Sequence, residues 1–415
     1  VTLLEDEAAA PGARAELPLS GIRVVDLSTS YAGPTATMYL ADLGAEVIKV
    51  ERPGRGDDAR GWGPPFTGGT SAWFASANRN KRSVVLDLRS PGARRVLHRL
   101  LAAADVFVEN LNPAKLDGLG LSPRRLRARY PRLVYCALSG FGLDGPDATL
   151  PGYDLVAQAR SGLMSVTGAA DGAPQRVSTA LSDIVAGMSA ALAITAALRR
   201  QERTGLGDLV DVALLESDLA LMAPRIAAFL AGEPEPRPSG GTDSVLAVYQ
   251  PFATEDRPIV LAVGSEAIWR RLCDTLGLDG LADDPALASN AGRRAERERI
   301  VDAIQRRLRT AGAEEWLERL AAAGVPAAPV QRLAEVVADR QVAARGSVLR
   351  LDGADGPHFA VRSPWRLAAA DPPARPAPPL GADTEAVLRE HGFSDDEIDG
   401  LASEGAVQIG AEVAQ

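Results

Sequence analysis

Residues 21 to 52 place the strongest constraint on the fold, because they read strand, tight turn, helix and strand, ending in a charged pair. The first run, Ile22-Arg23-Val24-Val25-Asp26-Leu27, is short and rich in β-branched residues, as a buried strand requires. Ser28 to Pro34 supplies small residues and Gly33 where the chain must turn. Thr35 to Leu43 then reads as a helix stopped by Gly44, and Ala45 to Val50 as a second strand that delivers Glu51-Arg52 to its carboxyl end. Ligands of open parallel sheets bind at that edge. A dinucleotide site would need G-x-G-x-x-G in the first turn, so that the backbone can approach a pyrophosphate, and an acid for the ribose. This turn holds one glycine, and Glu51 is followed by Arg52, Arg55 and Asp57-Asp58. NAD is therefore a poor fit, and a phosphorylated nucleotide held by arginine a better one.

The alternation continues. Ser83 to Leu86, Val106 to Val108, Leu133 to Leu138 and Asp208 to Ala213 read as strands, with helices over Gly92 to Ala103, Pro123 to Tyr130, Ile184 to Arg200 and Leu214 to Ala231. Such a pattern implies a parallel, Rossmann-like sheet covered on both faces. A Pro- and Gly-rich stretch, Gly232 to Gly241, then marks a linker or loop. Beyond it the pattern changes to a smaller α/β unit, with a strand over Pro258 to Val263 and helices near 267–276, 293–310 and 313–323. The expected organisation is an N-terminal tail (1–16), a large ligand-binding domain (17–224), a small α/β domain (225–330) and a return segment (331–415) that completes the large domain.

Composition removes several function classes. A net charge of −9 argues against general nucleic-acid binding, so an anionic ligand must be held by a local cluster. Lysine occurs only at positions 49, 81 and 115, which makes these three candidates for phosphate contact against the plainer reading of a bias toward arginine. Cys136 and Cys273 form no disulfide framework, and His98, His358 and His391 are scattered, so no metal site is expected. The longest apolar run, Ile184 to Leu198, is expected to be a buried helix too short for a bilayer. With no visible leader and free thiols, a cytoplasmic protein is expected.

No G-x-S-x-G or Ser-His-Asp pattern is present, so a carboxylate is the remaining nucleophile class. Asp183 lies just before the apolar run at Ile184, where free backbone N–H groups of a helix start would keep its carboxylate ionised; a plain N-cap explains the same position. Tyr153-Asp154 follows the Pro151-Gly152 turn and opens a helix through Gln158, where Asp154 also reads as a cap. Arg52, Arg55, Lys81, Arg82 and Arg89 are candidate phosphate ligands, each equally consistent with a solvated surface charge.

In order and spacing, these segments resemble one family. The likeness is carried by the first turn, Asn78-Arg79-Asn80-Lys81-Arg82-Ser83, Leu86-Asp87-Leu88, Val108-Glu109-Asn110, Gly152-Tyr153-Asp154, Leu181-Ser182-Asp183, Ala323-Gly324-Val325-Pro326 and Pro379-Leu380-Gly381. It is to the class III coenzyme A transferases, which include formyl-CoA and carnitine CoA-transferases and the related α-methylacyl-CoA racemases. The resemblance implies an interlocked homodimer, acyl-CoA and carboxylic acid substrates, no prosthetic group, and Asp183 as the covalent nucleophile. It assigns Ser30, Tyr31, Arg52, Leu86, Asp87, Leu88, Arg89, Asn110, Leu111 and Asn112 to CoA binding. Tyr153, Asp154 and a Gly240-Gly241 loop that covers the active site in some members complete the implied catalytic set.

Three departures from the family pattern stand out. The racemases carry His where this chain has Tyr153, and a phenol with an ordinary pKa near ~10 is a weak proton carrier at neutral pH, which favours transfer over racemisation. Gly118 stands where formyl-CoA transferase-like sequences place a CoA-contacting Arg, leaving Lys115 or a neighbouring Arg to take its place. Asp243-Ser244 replaces a common His-Pro pair. The reading is thus a CoA-transferase, with an α-methylacyl-CoA epimerase and a catalytically silent CoA-ester binding protein as rivals.

Overall fold

In a computed structural model, residues 16–410 are described, apart from 243, 244, 354, 355 and 369. Most of the expected N-terminal tail and the Asp243-Ser244 departure lie outside the described residues. The chain divides into two compact units: residues 1–163, 177–227 and 344–415 form the first, and 164–176 with 228–343 the second.

The first unit is built on a seven-stranded sheet. Its strands are β1 (Arg23–Asp26), β2 (Glu46–Glu51), β3 (Arg82–Leu86), β4 (Val106–Glu109), β5 (Val134–Ser139), β6 (Leu209–Ala213) and β7 (Val407–Gln408). They lie in the order β7-β3-β2-β1-β4-β5-β6, all parallel except β7, which pairs antiparallel with β3. Val25 sits between Ile48 on β2 and Phe107 on β4, so the strand order reverses at β1. The crevice of a doubly wound sheet opens at such a switch point.

Alternation along each strand divides the core into two layers. Val24, Val47, Val106 and Val134 face the layer that holds α1 (Ala32–Asp42) and α3 (Leu181–Thr204). Val25, Ile48, Val84, Phe107 and Tyr135 face the layer that holds the helix Pro91–Ala103 and the C-terminal helices. The latter begin after the Pro379-Leu380-Gly381 motif, where Gly381 N–H donates to Ser83 Oγ at 2.9 Å and Thr384 Oγ1 accepts from Val85 N–H at 3.1 Å. The return segment is thereby stitched to β3.

Helix α3 is longer than expected from its apolar run. It has 24 residues, and an 18-residue window within it reaches a mean hydropathy of 1.7, so length and composition alone do not exclude a membrane span. Packing gives it a different role, since Ala186, Ala190, Ile194 and Ala197 bury one face in the core. At Gly187, an added Cβ would lie 2.8 Å from the Ala32 carbonyl oxygen and 2.9 Å from Thr35, so glycine permits the close approach of α3 to α1.

The second unit has a three-stranded antiparallel sheet in the order 327–329, 258–262, 249–253. The helices Glu266–Leu276, Arg297–Leu308 and Ala313–Ala322 pack around Trp269, Trp316 and the buried Cys273. This unit also takes in Met164–Arg176, because Gly240 N–H donates to the Gly168 carbonyl at 2.9 Å, and it extends to Ala343 rather than 330.

Candidate active site

The turn after β1 is set from beneath by buried charge. Lys49 donates to the Ser28 carbonyl at 2.9 Å and pairs with Asp57 at 2.8 Å, while Lys81 pairs with Asp26 at 3.1 Å and donates to the Pro34 carbonyl at 2.9 Å. Burial works against the Asp26 charge, yet Lys81, Lys49 and the hydroxyls of Ser28 and Thr37 hold its carboxyl well below the ordinary range. Two of the three lysines are therefore structural counter-ions and not phosphate contacts, a correction that follows from partners met only in the folded chain. Ser30 has φ of 70°, and its N–H donates to Asp57 Oδ1 at 2.9 Å, which fixes a left-handed residue at the crevice.

Two adjoining clefts open there, both lined by Thr29 and Leu111. The first, of about 440 Å³, is lined by Arg52, Leu86, Asp87, Leu88, Arg89 and Lys115, among others. Arg52 pairs with Asp58, and Arg89 with Asp87 at 2.8 Å, its side chain 88% exposed. Exposed pairs of this kind are weak, so an incoming phosphate can exchange for the carboxylate at small cost. Arg82 is occupied elsewhere, by Glu46 at 2.7 Å and Glu390 at 2.6 Å, and Lys81 is buried, so neither candidate faces the cleft. Arg55 is exposed and does not line it. Glu51 accepts both guanidinium N–H groups of Arg60 at 2.7 Å and is no ribose acceptor. A Cβ on Gly118 would meet nothing within 4 Å, and Lys115 is the cation that its helix, Pro113–Leu119, presents to the cleft.

The second cleft, of about 250 Å³, gathers Ser30, Asn110, Leu111, Asn112, Tyr153 and Asp183. Asn110 and Asn112 also have structural work: Asn110 bonds both backbone groups of Thr29, at 2.9 and 2.8 Å, and Asn112 caps its helix through Ala114 N–H at 2.9 Å. Beneath them, Glu109 accepts Leu111 N–H at 2.7 Å, and burial pushes its carboxyl up to about 7. Gly140 and Gly152 touch backbone to backbone, since a Cβ on Gly152 would lie 2.3 Å from Gly140 Cα. That contact sets the loop that delivers Tyr153, a residue 61% exposed. Tyr31 precedes α1 and bonds Ser76 through its hydroxyl at 2.9 Å.

Asp183 is neither a cap nor readily ionised, in contrast to the expectation from its position. Helix α3 begins at Leu181, so Asp183 is its third residue, and burial, then the charges of Asp154 and Asp218, push its carboxyl up to about 7. Asp154, first residue of α2 (Asp154–Arg160), caps α3 and not its own helix: Oδ1 accepts Ser182 N–H at 2.8 Å and Oδ2 accepts from Gln158 Nε2 at 2.7 Å. Asp218, on α4 (Leu214–Leu230), accepts from Ser182 Oγ at 2.8 Å. No local pattern in the sequence marked Asp218, and Ser182 and Asp57 appeared there only as members of the Leu181-Ser182-Asp183 and Asp57-Asp58 segments, without a role. Gly240 and Gly241 belong to the second unit, with φ of 66° and 94°. The Gly240 N–H is engaged by Gly168, so in this conformation it is not a free donor for an oxyanion.

Comparison with known proteins identifies the family. The family described as CoA-transferase family III matches residues 19–384. Succinyl-CoA:glutarate CoA-transferase of Mus musculus is 38% identical over 381 residues, 90% of this chain and 86% of that protein. Acetyl-CoA:oxalate CoA-transferase of Acetobacter aceti is 36% identical over 375 residues, 90% of this chain and 95% of its own length. Among solved structures, a CAIB/BAIF family protein from Brucella suis superposes with a TM-score of 0.80 at 36% identity, covering 91% of this chain and all of that one.

Proposed function

This chain belongs to CoA-transferase family III and is a transferase, and from that premise we propose that it moves CoA from an acyl-CoA thioester to a carboxylic acid with Asp183 as covalent nucleophile. The observation that carries the reading is the meeting of a half-buried carboxylate, Asp183, with a cleft that continues past Thr29 and Leu111 to the cations Arg52, Arg89 and Lys115. The nucleotide and phosphates of CoA occupy the cationic cleft, and the thioester reaches the smaller one.

In the proposed sequence, an Asp183 carboxylate oxygen attacks the donor carbonyl carbon and the C–S bond breaks, giving a mixed anhydride and CoA thiolate. The thiolate attacks the Asp183 carbonyl, releasing the donor acid and leaving an enzyme-CoA thioester. The acceptor carboxylate attacks that thioester and expels the thiolate, which then attacks the acceptor carbonyl and regenerates Asp183. Each step exchanges one activated acyl group for another. A carboxyl raised toward neutrality suits the role, because a more basic carboxylate is a stronger nucleophile while a useful fraction remains ionised. Tyr153 favours transfer over epimerisation, since a phenol in place of imidazole is a poor shuttle for an α proton.

The test is a panel of CoA esters crossed with carboxylic acids and read by mass spectrometry, beginning with succinyl-CoA and acetyl-CoA against glutarate and oxalate. New thioesters with stoichiometric release of donor acid support the reading. α-Deuterium incorporation from D2O into a 2-methylacyl-CoA, without transfer, would replace it with epimerisation.

We also propose that the active form is a homodimer. Leu155, Val156, Leu192, Leu219 and Leu221 leave apolar side chains exposed on α2, α3 and α4 of the first unit, with Leu192 at 74%. Sedimentation is expected to give twice 43.4 kDa; an active species at the single-chain mass would refute the proposal.

A further inference from the structure

We propose that Asp218 is a positioning residue for the nucleophile: from α4 it fixes the side chain of Ser182, the residue before Asp183, and places a negative charge beside the reacting carboxylate. The proposal rests on the transferase reading above. Helix α3 starts at Leu181, and its N-cap residue Ala180 has no side chain able to satisfy the free N–H groups of the first turn. One carboxylate from another helix takes over an N–H of that turn, and a second fixes the Ser182 side chain. Asp154 accepts the Ser182 N–H at 2.8 Å from α2, and Asp218 accepts the Ser182 hydroxyl at 2.8 Å from α4. That hydroxyl lies 3.2 Å from the Asp154 carbonyl oxygen, so Ser182 ties α2, α3 and α4 together at one point.

Ser182 and Asp218 are both fully buried. A fully buried Asp beside two further carboxylates is costly, and packing alone would favour an apolar residue there. Its presence has an electrostatic consequence. The ionisable groups that act on Asp183 are Asp154 from α2, Asp218 from α4 and Tyr31 at the start of α1, and among the described residues lining its cleft none is Lys, Arg or His. Burial comes first in raising the Asp183 carboxyl to about 7, and the two neighbouring carboxylates add to it. Removing the Asp218 charge therefore lowers the pKa of Asp183, so that at neutral pH more of it is ionised but each ionised group is less basic.

The experiment compares wild type, Asp218→Asn and Ser182→Ala in two readouts. The first is the pH dependence of transfer. In wild type the acid limb is expected to have its midpoint near pH 7, and in Asp218→Asn it moves down by at least about half a pH unit, with a lower plateau above pH 8. Ser182→Ala keeps both carboxylates, so it is expected to lower kcat by about tenfold, leaving KM for the CoA ester and the midpoint near those of wild type.

The second readout needs no turnover: carbodiimide-driven amidation of Asp183 as a function of pH, followed in the tryptic peptide 177–199, where it is the sole acidic side chain. Its midpoint is expected to shift in Asp218→Asn in the same direction as the kinetic limb. An unchanged midpoint and a kcat within twofold of wild type in Asp218→Asn would overturn the proposal while leaving the transferase reading intact. Absence of transfer in wild type, with the amidation midpoint still shifted by Asp218→Asn, would overturn the transferase reading instead. If Asp218→Asn does not fold, Ser182→Ala decides, and normal kcat in that variant refutes the positioning role.

Discussion

Asp183→Ala is expected to lose at least ~10³-fold in CoA transfer while remaining folded, because among the described residues lining the second cleft it is the sole carboxylate. The fold is expected to tolerate the change well. The α3 start is held by Asp154 and Asp218 through Ser182, so removing Asp183 does not uncap the helix. Its carboxyl is raised to about 7 in the folded chain from an ordinary value of 3.8, so the native state holds a proton that the unfolded chain has released between those values. Stability from this group is thus present at low pH and lost as pH rises through about 7. Asp183→Asn, which cannot ionise, is expected to melt above wild type at pH 8 and close to it at pH 4. Calorimetry at the two pH values checks the sign, and a variant that melts lower at pH 8 would contradict a half-buried carboxylate without a cationic partner.

Arg52→Ala is expected to weaken binding of CoA and its esters about tenfold or more, as the loss of a charge-assisted phosphate bond of about 1.5 to 3 kcal/mol requires. The KM of the acceptor acid should change much less, since Arg52 lines only the larger cleft. The structure adds a second arm of opposite sign. Arg52 is paired with Asp58, so Asp58→Asn frees the guanidinium and is expected to tighten CoA binding. Titration calorimetry with CoA measures both variants directly. Equal loss for CoA and acid in Arg52→Ala, or weaker CoA binding in Asp58→Asn, would remove Arg52 from the phosphate site.

Much of the first unit was legible in the sequence because parallel strands buried on both faces are rich in apolar residues: 83–86 and 133–138 are nearly continuous runs, and 22–27 and 45–50 are runs broken by Arg23, Asp26, Glu46 and Lys49. The edge strand Val407–Gln408 was not legible: two residues carry no period, and only their pairing with Val85 and Leu86 makes them a strand. That Arg52 and Arg89 line the first cleft was legible because both follow strand ends, the edge where ligands of open parallel sheets bind. Lys49 and Lys81 misled for the opposite reason. Their partners Asp57 and Asp26 meet them only in the folded sheet, and nothing local distinguishes a buried counter-ion from an exposed phosphate ligand. The start of α3 was placed three residues late because its cap comes from Asp154, 29 residues before Asp183, and the Ser182 hydroxyl is held by Asp218, 35 residues after it. The raised pKa of Asp183 was hidden by the same distance, since position at a helix start argues for a low value and three-dimensional burial beside two carboxylates reverses it.

The most direct test of the central claim is oxygen-18 transfer from the acceptor acid into the enzyme. If the acceptor carboxylate attacks an Asp183-CoA thioester, one of its oxygens becomes the bridging atom of the anhydride and stays with Asp183 when the thiolate removes the acyl group. Turnover with a doubly labelled acid should therefore raise the mass of the tryptic peptide 177–199, whose sole acidic side chain is Asp183. Fragmentation should place the label on that residue. Sustained CoA transfer with the label absent from this peptide, or found on Asp154 instead, would contradict Asp183 as the covalent nucleophile.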